Sequence, residues 1–142
     1  MSEASHTPEL GSVLETVLYY EDQGAAERFY VNVLGMRLIA KQPGRSLFLR
    51  AGSSVFLLFD ASLAQRGGEL PPHGATGSGH VCFVVEPASY QGWKSHLKAH
   101  GVEILKEVVW PGRRGRAALQ SFYFRDPHDN LLEIADGDLW PD

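Results

Sequence analysis

Three ionisable residues stand out because each is the only ionisable side chain with metal-binding character in an otherwise apolar run typical of a β-strand. They are Glu15 in VLETVLYY, His80 in HVCFVV and Glu133 in LLEIA. An unpaired charge is costly to bury in an apolar layer, so such residues need a partner. One imidazole and two carboxylates form an oxygen-rich ligand set that favours Mn²⁺, Fe²⁺ or Ni²⁺, with Zn²⁺ also possible.

Each of these residues also has a simpler interpretation. His80 could be a core or loop histidine whose hydrogen bonds are satisfied. Glu15 could form an ion pair with an arginine of the segment 110–118 (WPGRRGRAA). The indication of a ligand is strongest for Glu133, because it stands among Leu, Ile and Ala, where an unpaired carboxylate would be destabilising.

Two successive runs of elements, each a strand, a helix and three strands, are predicted to position these residues. In the first half, Asp22 is a helix N-cap, and apolar residues recur at helical spacing as far as Gly35, the C′ residue. In the second half, a helix follows Pro87 and ends at Gly101. The predicted strands are 13–20, 36–41, 46–50 and 54–60 in the first half, and 80–85, 102–109, 117–125 and 131–135 in the second.

The distance between matched motifs tests whether the second run repeats the first. Gly35 and Gly101 each end a helix, and they are 66 residues apart. LFLRAG and FYFRDP are 75 residues apart, and VFLLFD and LLEIAD are 76 apart. A nine-residue insertion in the second half, around WPGRRGR, accounts for the change from 66 to 75. The two halves are therefore predicted to be one structural unit used twice.

The repeat also relates the candidate ligands to one another. An offset of 65 pairs Glu15 with His80, and the offset of 76 pairs Leu57 with Glu133. Three of the four equivalent positions are thus metal-binding residue types, and the fourth is Leu57.

The predicted fold class is α+β, with two βαβββ repeats whose sheets pair and curve around a cavity. A single domain is expected over residues 12–136. Its parts are a first repeat at 13–60, a Gly- and Pro-rich connector at 61–79 and a second repeat at 80–136, with a flexible N-terminal arm at 1–11 and a C-terminal tail at 137–142.

The order of these motifs resembles a known family. The paired βαβββ pattern, AAERFYVNVLGM in the first helix, GHVCFVV and FRDPHDNLLEI are similar to the vicinal oxygen chelate superfamily, over about residues 12–136. That superfamily includes glyoxalase I, extradiol dioxygenases, fosfomycin-modifying enzymes and bleomycin-resistance proteins. The resemblance implies metal ligands at Glu15, His80 and Glu133.

The fourth ligand position of the family falls on Leu57. A glyoxalase I would have a carboxylate there, and many members have His or Gln at the position of Glu15. A three-ligand site resembles the dioxygenase and fosfomycin-modifying branches, and it leaves a position beside Leu57 for substrate. The resemblance implies a divalent-metal enzyme that acts on a small oxygenated molecule by dioxygenase-like, lyase-like or resistance-type transferase chemistry. The alternative is a metal-free drug- or metabolite-binding protein of the bleomycin-resistance type.

The inserted segment 110–118 offers further candidate substrate contacts. Arg113, Arg114 and Arg116 lie within four residues and could close over an anionic substrate, although a solvated loop is equally consistent with the sequence. Trp110 could form an aromatic wall or belong to the core. Two other histidines, His73 and His128, lie in Gly- and Pro-rich loops and are predicted to be solvated.

Composition limits the remaining classes. A formal net charge of −4 without a long basic run argues against a nucleic-acid surface, and the apolar runs are too short to cross a bilayer. The start of the chain has no signal-peptide pattern, so a cytoplasmic location is expected. Cys82 is the only cysteine and is predicted to be a small buried residue. Short members of the resembling family commonly form homodimers, and a homodimer is expected here.

Overall fold

Eight β-strands form two four-stranded sheets in the computed structural model, which describes residues 7–140. The strands of the first sheet are β1 (Glu15–Tyr20), β2 (Arg37–Gln42), β3 (Ser46–Ala51) and β4 (Ser54–Asp60), and those of the second are β5 (His80–Val84), β6 (Lys106–Trp110), β7 (Leu119–Arg125) and β8 (Leu131–Ala135). The orders are β1-β4-β3-β2 and β5-β8-β7-β6. In each sheet the first two strands are parallel and the other neighbours antiparallel. The predicted βαβββ repeat is confirmed.

The register of the strands follows the offsets seen in the sequence. Glu15 of β1 lies opposite Val55 of β4, and His80 of β5 lies opposite Leu131 of β8. Offsets of 65 and 76 carry the first pair onto the second. Because a slip of one residue would turn every side chain to the other face, this agreement fixes which residues are equivalent.

Helices connect β1 to β2 and β5 to β6. The first comprises α1 (Gln23–Glu27) and a π-helical segment (Arg28–Val33), and Asp22 caps it by accepting a hydrogen bond from the Ala25 N–H. The second is α3 (Tyr90–Ala99). Gly35 and Gly101 follow the two helices with the same positive φ of 76°, a conformation that glycine adopts without strain.

Two elements differ from the sequence prediction. The strand predicted at 102–109 is shorter, since β6 begins at Lys106. Val102 and Ile104 alternate in the manner of a strand because they pack against the core, but they have no strand partner. The connector contains a short helix, α2 (Ala61–Arg66), which begins because the Asp60 carboxylate accepts a hydrogen bond from the Leu63 N–H.

One hydrophobic core joins the two halves on the side of the sheets that faces the helices. The Phe29 ring of the first helix lies 6.3 Å from that of Phe124 in β7, and the Tyr30 ring lies 5.3 Å from that of Phe56 in β4. The Tyr30 hydroxyl also donates a 2.6 Å hydrogen bond to buried Asp126. Since side chains alternate along a strand, the opposite faces of both sheets point away from this shared core.

The predicted arm at 1–11 and tail at 137–142 fall partly on residues 1–6 and 141–142, which lie outside the described residues. Within residues 7–140, no helix is long and apolar enough to cross a membrane.

Candidate functional site

His80 and Glu133 meet on the face of the second sheet that points away from the core. The His80 Nε2 atom lies 3.3 Å from Glu133 Oε1. The other ring nitrogen, Nδ1, lies 2.8 Å from the Leu131 carbonyl oxygen, to which it can only donate a proton. Leu131 is the residue opposite His80 in the strand register, so the backbone of the sheet sets the orientation of the ring.

Glu133 is unusual because it is a carboxylate in a nearly closed environment. The residue is 4% exposed, and its Oε2 atom has no hydrogen-bond partner. The position follows from the sheet order, since β8 is an inner strand with neighbours on both sides. A buried carboxylate oxygen without a partner is costly and marks a place where a cation can bind.

Cys82 and Tyr123 flank Glu133 on the two neighbouring strands. Burial and the adjacent Glu133 charge raise the pKa of the Cys82 thiol to about 12. The same two causes raise the pKa of the Tyr123 hydroxyl. Near neutral pH both groups therefore carry their protons, and Cys82 lacks the thiolate character of a nucleophile. Cys82 is exposed, so its prediction as a buried residue is wrong.

Glu15 and Leu57 lie on the corresponding face of the first sheet, and Glu15 does not join the His80–Glu133 pair. Among the described residues, no group of three His, Cys, Asp or Glu side chains is placed to hold a metal ion. Leu57 is buried but is not part of the shared core, whereas its neighbours Phe56 and Leu58 are. The structure thus brings two of the three predicted ligands together.

Two histidines of the loops have contacts that the sequence did not predict. The Tyr19 hydroxyl lies 2.7 Å from His73 Nδ1, and the rings of Phe59 and His73 meet edge to face at 4.8 Å. The Asp22 N–H donates to His128 Nε2 at 3.1 Å. The prediction of solvated side chains is wrong for both. No local pattern could have found these contacts, since the partners are 54 and 106 residues away.

The loop at 110–118 does not contact the His80–Glu133 pair. Arg116 donates hydrogen bonds to the carbonyl oxygens of Trp140 and Asp138 and so ties the C-terminal segment to the β6–β7 connection. The Trp110 indole N–H donates to Ser121 Oγ at 3.0 Å, which fixes its ring against the sheet. Roles of Arg113 and Arg114 in binding substrate remain predictions.

The largest cavity, with a volume of about 540 Å³, lies at the junction of the two halves. Phe56, Phe83 and Trp93 are among its apolar walls, and Cys82 lies at its border with the metal-binding face. Glu15, His80 and Glu133 do not line it.

Comparison with known proteins agrees with this architecture. Residues 12–134 match the family model described as the Glyoxalase/Bleomycin resistance protein/Dioxygenase superfamily. The chain belongs to this superfamily. The resemblance in the sequence motifs and the predicted fold class are both confirmed.

Members of the superfamily with solved structures share the fold at different levels of identity. The crystal structure of a lactoylglutathione lyase from Agrobacterium tumefaciens is 34% identical, covers 95% of this chain and 100% of its own, and has a TM-score of 0.86. A mutant of the fosfomycin resistance protein FosX from Listeria monocytogenes, complexed with Mn(II), is 20% identical, covers 92% of this chain and 94% of its own, and has a TM-score of 0.66. At that identity the likeness shows the fold alone.

A curated relative extends the comparison to a longer protein. Glyoxalase domain-containing protein RDO1 from Mycosarcoma maydis is 31% identical over 123 residues, which is 84% of this chain. The match spans 64% of the length of RDO1.

Proposed function

We propose that the protein is a divalent-metal-dependent enzyme that acts on a small molecule with adjacent oxygen atoms. The observation that carries this proposal is the His80–Glu133 pair on the open face of the second sheet. The proposed ligands are His80, Glu133 and Glu15, and the proposed metals are Mn²⁺, Fe²⁺, Ni²⁺ or Zn²⁺.

The hydrogen bonds of the pair support a cation between the two side chains. With Nδ1 donating to the Leu131 carbonyl, a neutral His80 presents the lone pair of Nε2 to Glu133 Oε1 at 3.3 Å. Two acceptors that face each other repel, so the arrangement requires a proton or a metal ion between them. The unpartnered Oε2 atom supplies a further donor to a metal.

A second copy of the chain is the proposed source of Glu15. The helix-side faces of both sheets are used by the shared core, so the faces with Glu15 and His80 are directed outwards. The free edges of β1 and β5 also favour pairing with another chain. A two-fold dimer that sets the first sheet of one copy against the second sheet of the other would produce two equivalent sites.

The residues of the chain then have distinct tasks. A bound divalent metal would polarise the adjacent oxygens of the substrate. Tyr123 keeps its proton and is able to donate a hydrogen bond to a substrate oxygen beside Glu133. Leu57 offers an apolar surface that leaves a coordination position open.

Two finer assignments have support from different observations. The similarity to a lactoylglutathione lyase at 34% identity supports lyase-type chemistry. Leu57, in place of a fourth carboxylate, supports dioxygenase-like or resistance-type chemistry. A metal-free binding protein remains the second candidate, and the large apolar cavity outside the His80–Glu133 pair favours it.

Metal analysis of full-length protein purified without chelator tests the proposal. We expect one Mn²⁺ or Co²⁺ per chain, dimers by light scattering at micromolar concentration, and loss of metal from His80→Ala and Glu133→Gln with unchanged folding. His100→Ala, a change at an exposed histidine after α3, is the matched control and should retain metal. Absence of metal from every form would instead support the binding protein.

A mixture of two variants tests where the third ligand comes from. Glu15→Ala and His80→Ala chains, unfolded and refolded together, should regain about a quarter of the wild-type metal capacity, because half the dimers are mixed and each has one intact site. A site within one chain would regain none.

A further inference from the structure

The cavity at the junction of the two halves differs from the His80–Glu133 pair in both shape and chemistry. Its volume of about 540 Å³ falls within the roughly 300–1,000 Å³ range of small-molecule pockets. The walls are mainly apolar and come from both sheets and both helical connections, including Phe56, Phe83, Val84 and Trp93. Within the part of the chain that the structure describes, Arg50 is the only charged residue of the lining.

Arg50 has little to neutralise its charge. Its closest hydrogen-bond partner is the Ser53 carbonyl oxygen, at 3.4 Å from Nη1. Arg37 lies directly opposite Arg50 on β2, and neither forms an ion pair among residues 7–140. Like charges directly opposite each other destabilise a sheet. Glu15 lies in the same cross-strand row, beyond Val55, and contacts neither arginine.

The repeat supplies a comparison for this arginine. Arg125 occupies the equivalent position of the second half, 75 residues later. Its Nη1 atom donates to the Asp129 carbonyl oxygen at 2.8 Å and to Ser78 Oγ at 3.3 Å, so it holds the turn before β8. Arg50 has one long contact and borders the cavity, which leaves its guanidinium available to a ligand.

We infer that the junction cavity binds a small molecule with an apolar body and one carboxylate, and that the carboxylate pairs with Arg50. The apolar walls bury the carbon skeleton, and a guanidinium pairs with a carboxylate through two parallel hydrogen bonds. The bound anion also relieves the repulsion between Arg37 and Arg50. This site is separate from the proposed metal site and does not depend on it.

Octanoate and octanamide, which differ in charge but not in length, test the inference by calorimetry on the full chain with EDTA present. We expect octanoate to bind, and octanamide to bind at least about tenfold more weakly. Arg50→Gln should weaken octanoate binding by about the same factor and leave octanamide unchanged. Arg45→Gln, which removes an equal charge from the exposed β2–β3 turn, should bind octanoate as the wild type does.

Trp93 reports where the ligand binds. Octanoate should change the tryptophan fluorescence of the wild type, and Trp93→Phe should remove that change while the heat of binding remains, because Trp110 and Trp140 do not line this cavity. Three results would overturn the inference. They are a wild type that does not bind octanoate, as when a second copy fills the cavity, equal weakening by Arg45→Gln and Arg50→Gln, and a fluorescence change that persists in Trp93→Phe.

Discussion

Equivalent positions of the two sheets carry different chemistry on the same backbone. Leu57 of β4 corresponds to Glu133 of β8, and Val17 of β1 corresponds to Cys82 of β5. The open face of the first sheet is apolar and aromatic, and part of it is covered by His73 from the connector. The open face of the second sheet holds the His80–Glu133 pair. Duplication of a βαβββ unit thus keeps the geometry and allows one copy to supply polar ligands and the other an apolar surface.

The turns that precede β4 and β8 differ in the same way. Asp126, the counterpart of Ala51, is 5% exposed and accepts hydrogen bonds from the Tyr30 hydroxyl, the Asn130 side chain and the His128 and Asn130 N–H groups. Burial and the Asp126 charge raise the pKa of Tyr30, so the phenol remains a donor. The first half has no equivalent to this carboxylate at Ala51, which has no ionisable group.

Asp126→Ala should have the largest effect on stability. The substitution leaves the buried Tyr30 hydroxyl and Asn130 amide without an acceptor, and we expect it to lower the free energy of unfolding by about 3–4 kcal/mol. Tyr30→Phe removes one of these hydrogen bonds and should cost about 1–2 kcal/mol. Urea unfolding of the two variants measures both. A loss below about 1 kcal/mol for Asp126→Ala would show that this turn does not hold the halves together.

Leu57→Glu gives the first sheet the residue that the second sheet has. Because Leu57 faces away from the shared core, the carboxylate should act as an additional ligand, tighten metal binding by about tenfold and suppress activity that needs the open position. Leu58→Glu is the matched control. Its side chain points into the core, so it should cost several kcal/mol (roughly 3–5) without any gain in metal affinity. Melting temperature and metal affinity are measured on both.

If Leu57→Glu behaved as Leu58→Glu is expected to, with a large loss of stability and unchanged affinity, the assignment of the metal-facing positions would be wrong.

The ion pairs between helix and edge strand reverse their polarity from one half to the other. Glu27 of α1 pairs with Lys41 of β2 at 2.7 Å, whereas Lys94 of α3 pairs with Glu107 of β6 at 2.8 Å. The hydrogen bonds from Lys94 and Tyr90 lower the pKa of Glu107.

Glu107→Gln should have the smallest effect. A carboxyl whose pKa is lowered in the folded state stabilises the fold above its unfolded pKa, and that contribution is lost as the pH falls through the lowered value. Since Glu107 is partly exposed, we expect the substitution to cost less than about 1 kcal/mol at pH 7. The difference from the wild type should shrink below about pH 4, where Glu107 takes up a proton. Urea unfolding between pH 3 and 7 measures it, and a difference independent of pH would contradict the role of the charge.

The sequence by itself determined the elements, the repeat and the face on which each candidate ligand lies. Alternation of side chains and turn residues such as Gly35 and Gly101 are local properties, and local properties are legible in a chain. They were sufficient to place Leu57 and Glu133 at equivalent positions. They were insufficient at residues 102–105, where alternation reflects packing against the core and not strand pairing.

Only the tertiary structure decided which of these faces and side chains meet. The sequence assigned Glu15, His80 and Glu133 to one site, whereas in a single chain the shared core joins the helix-side faces of the sheets and leaves Glu15 apart from the other two. The tertiary structure likewise set Arg116 against the backbone of residues 138–140. The physical reason is that an apolar strand face records that it is buried but not against what, because burial of apolar area has no direction.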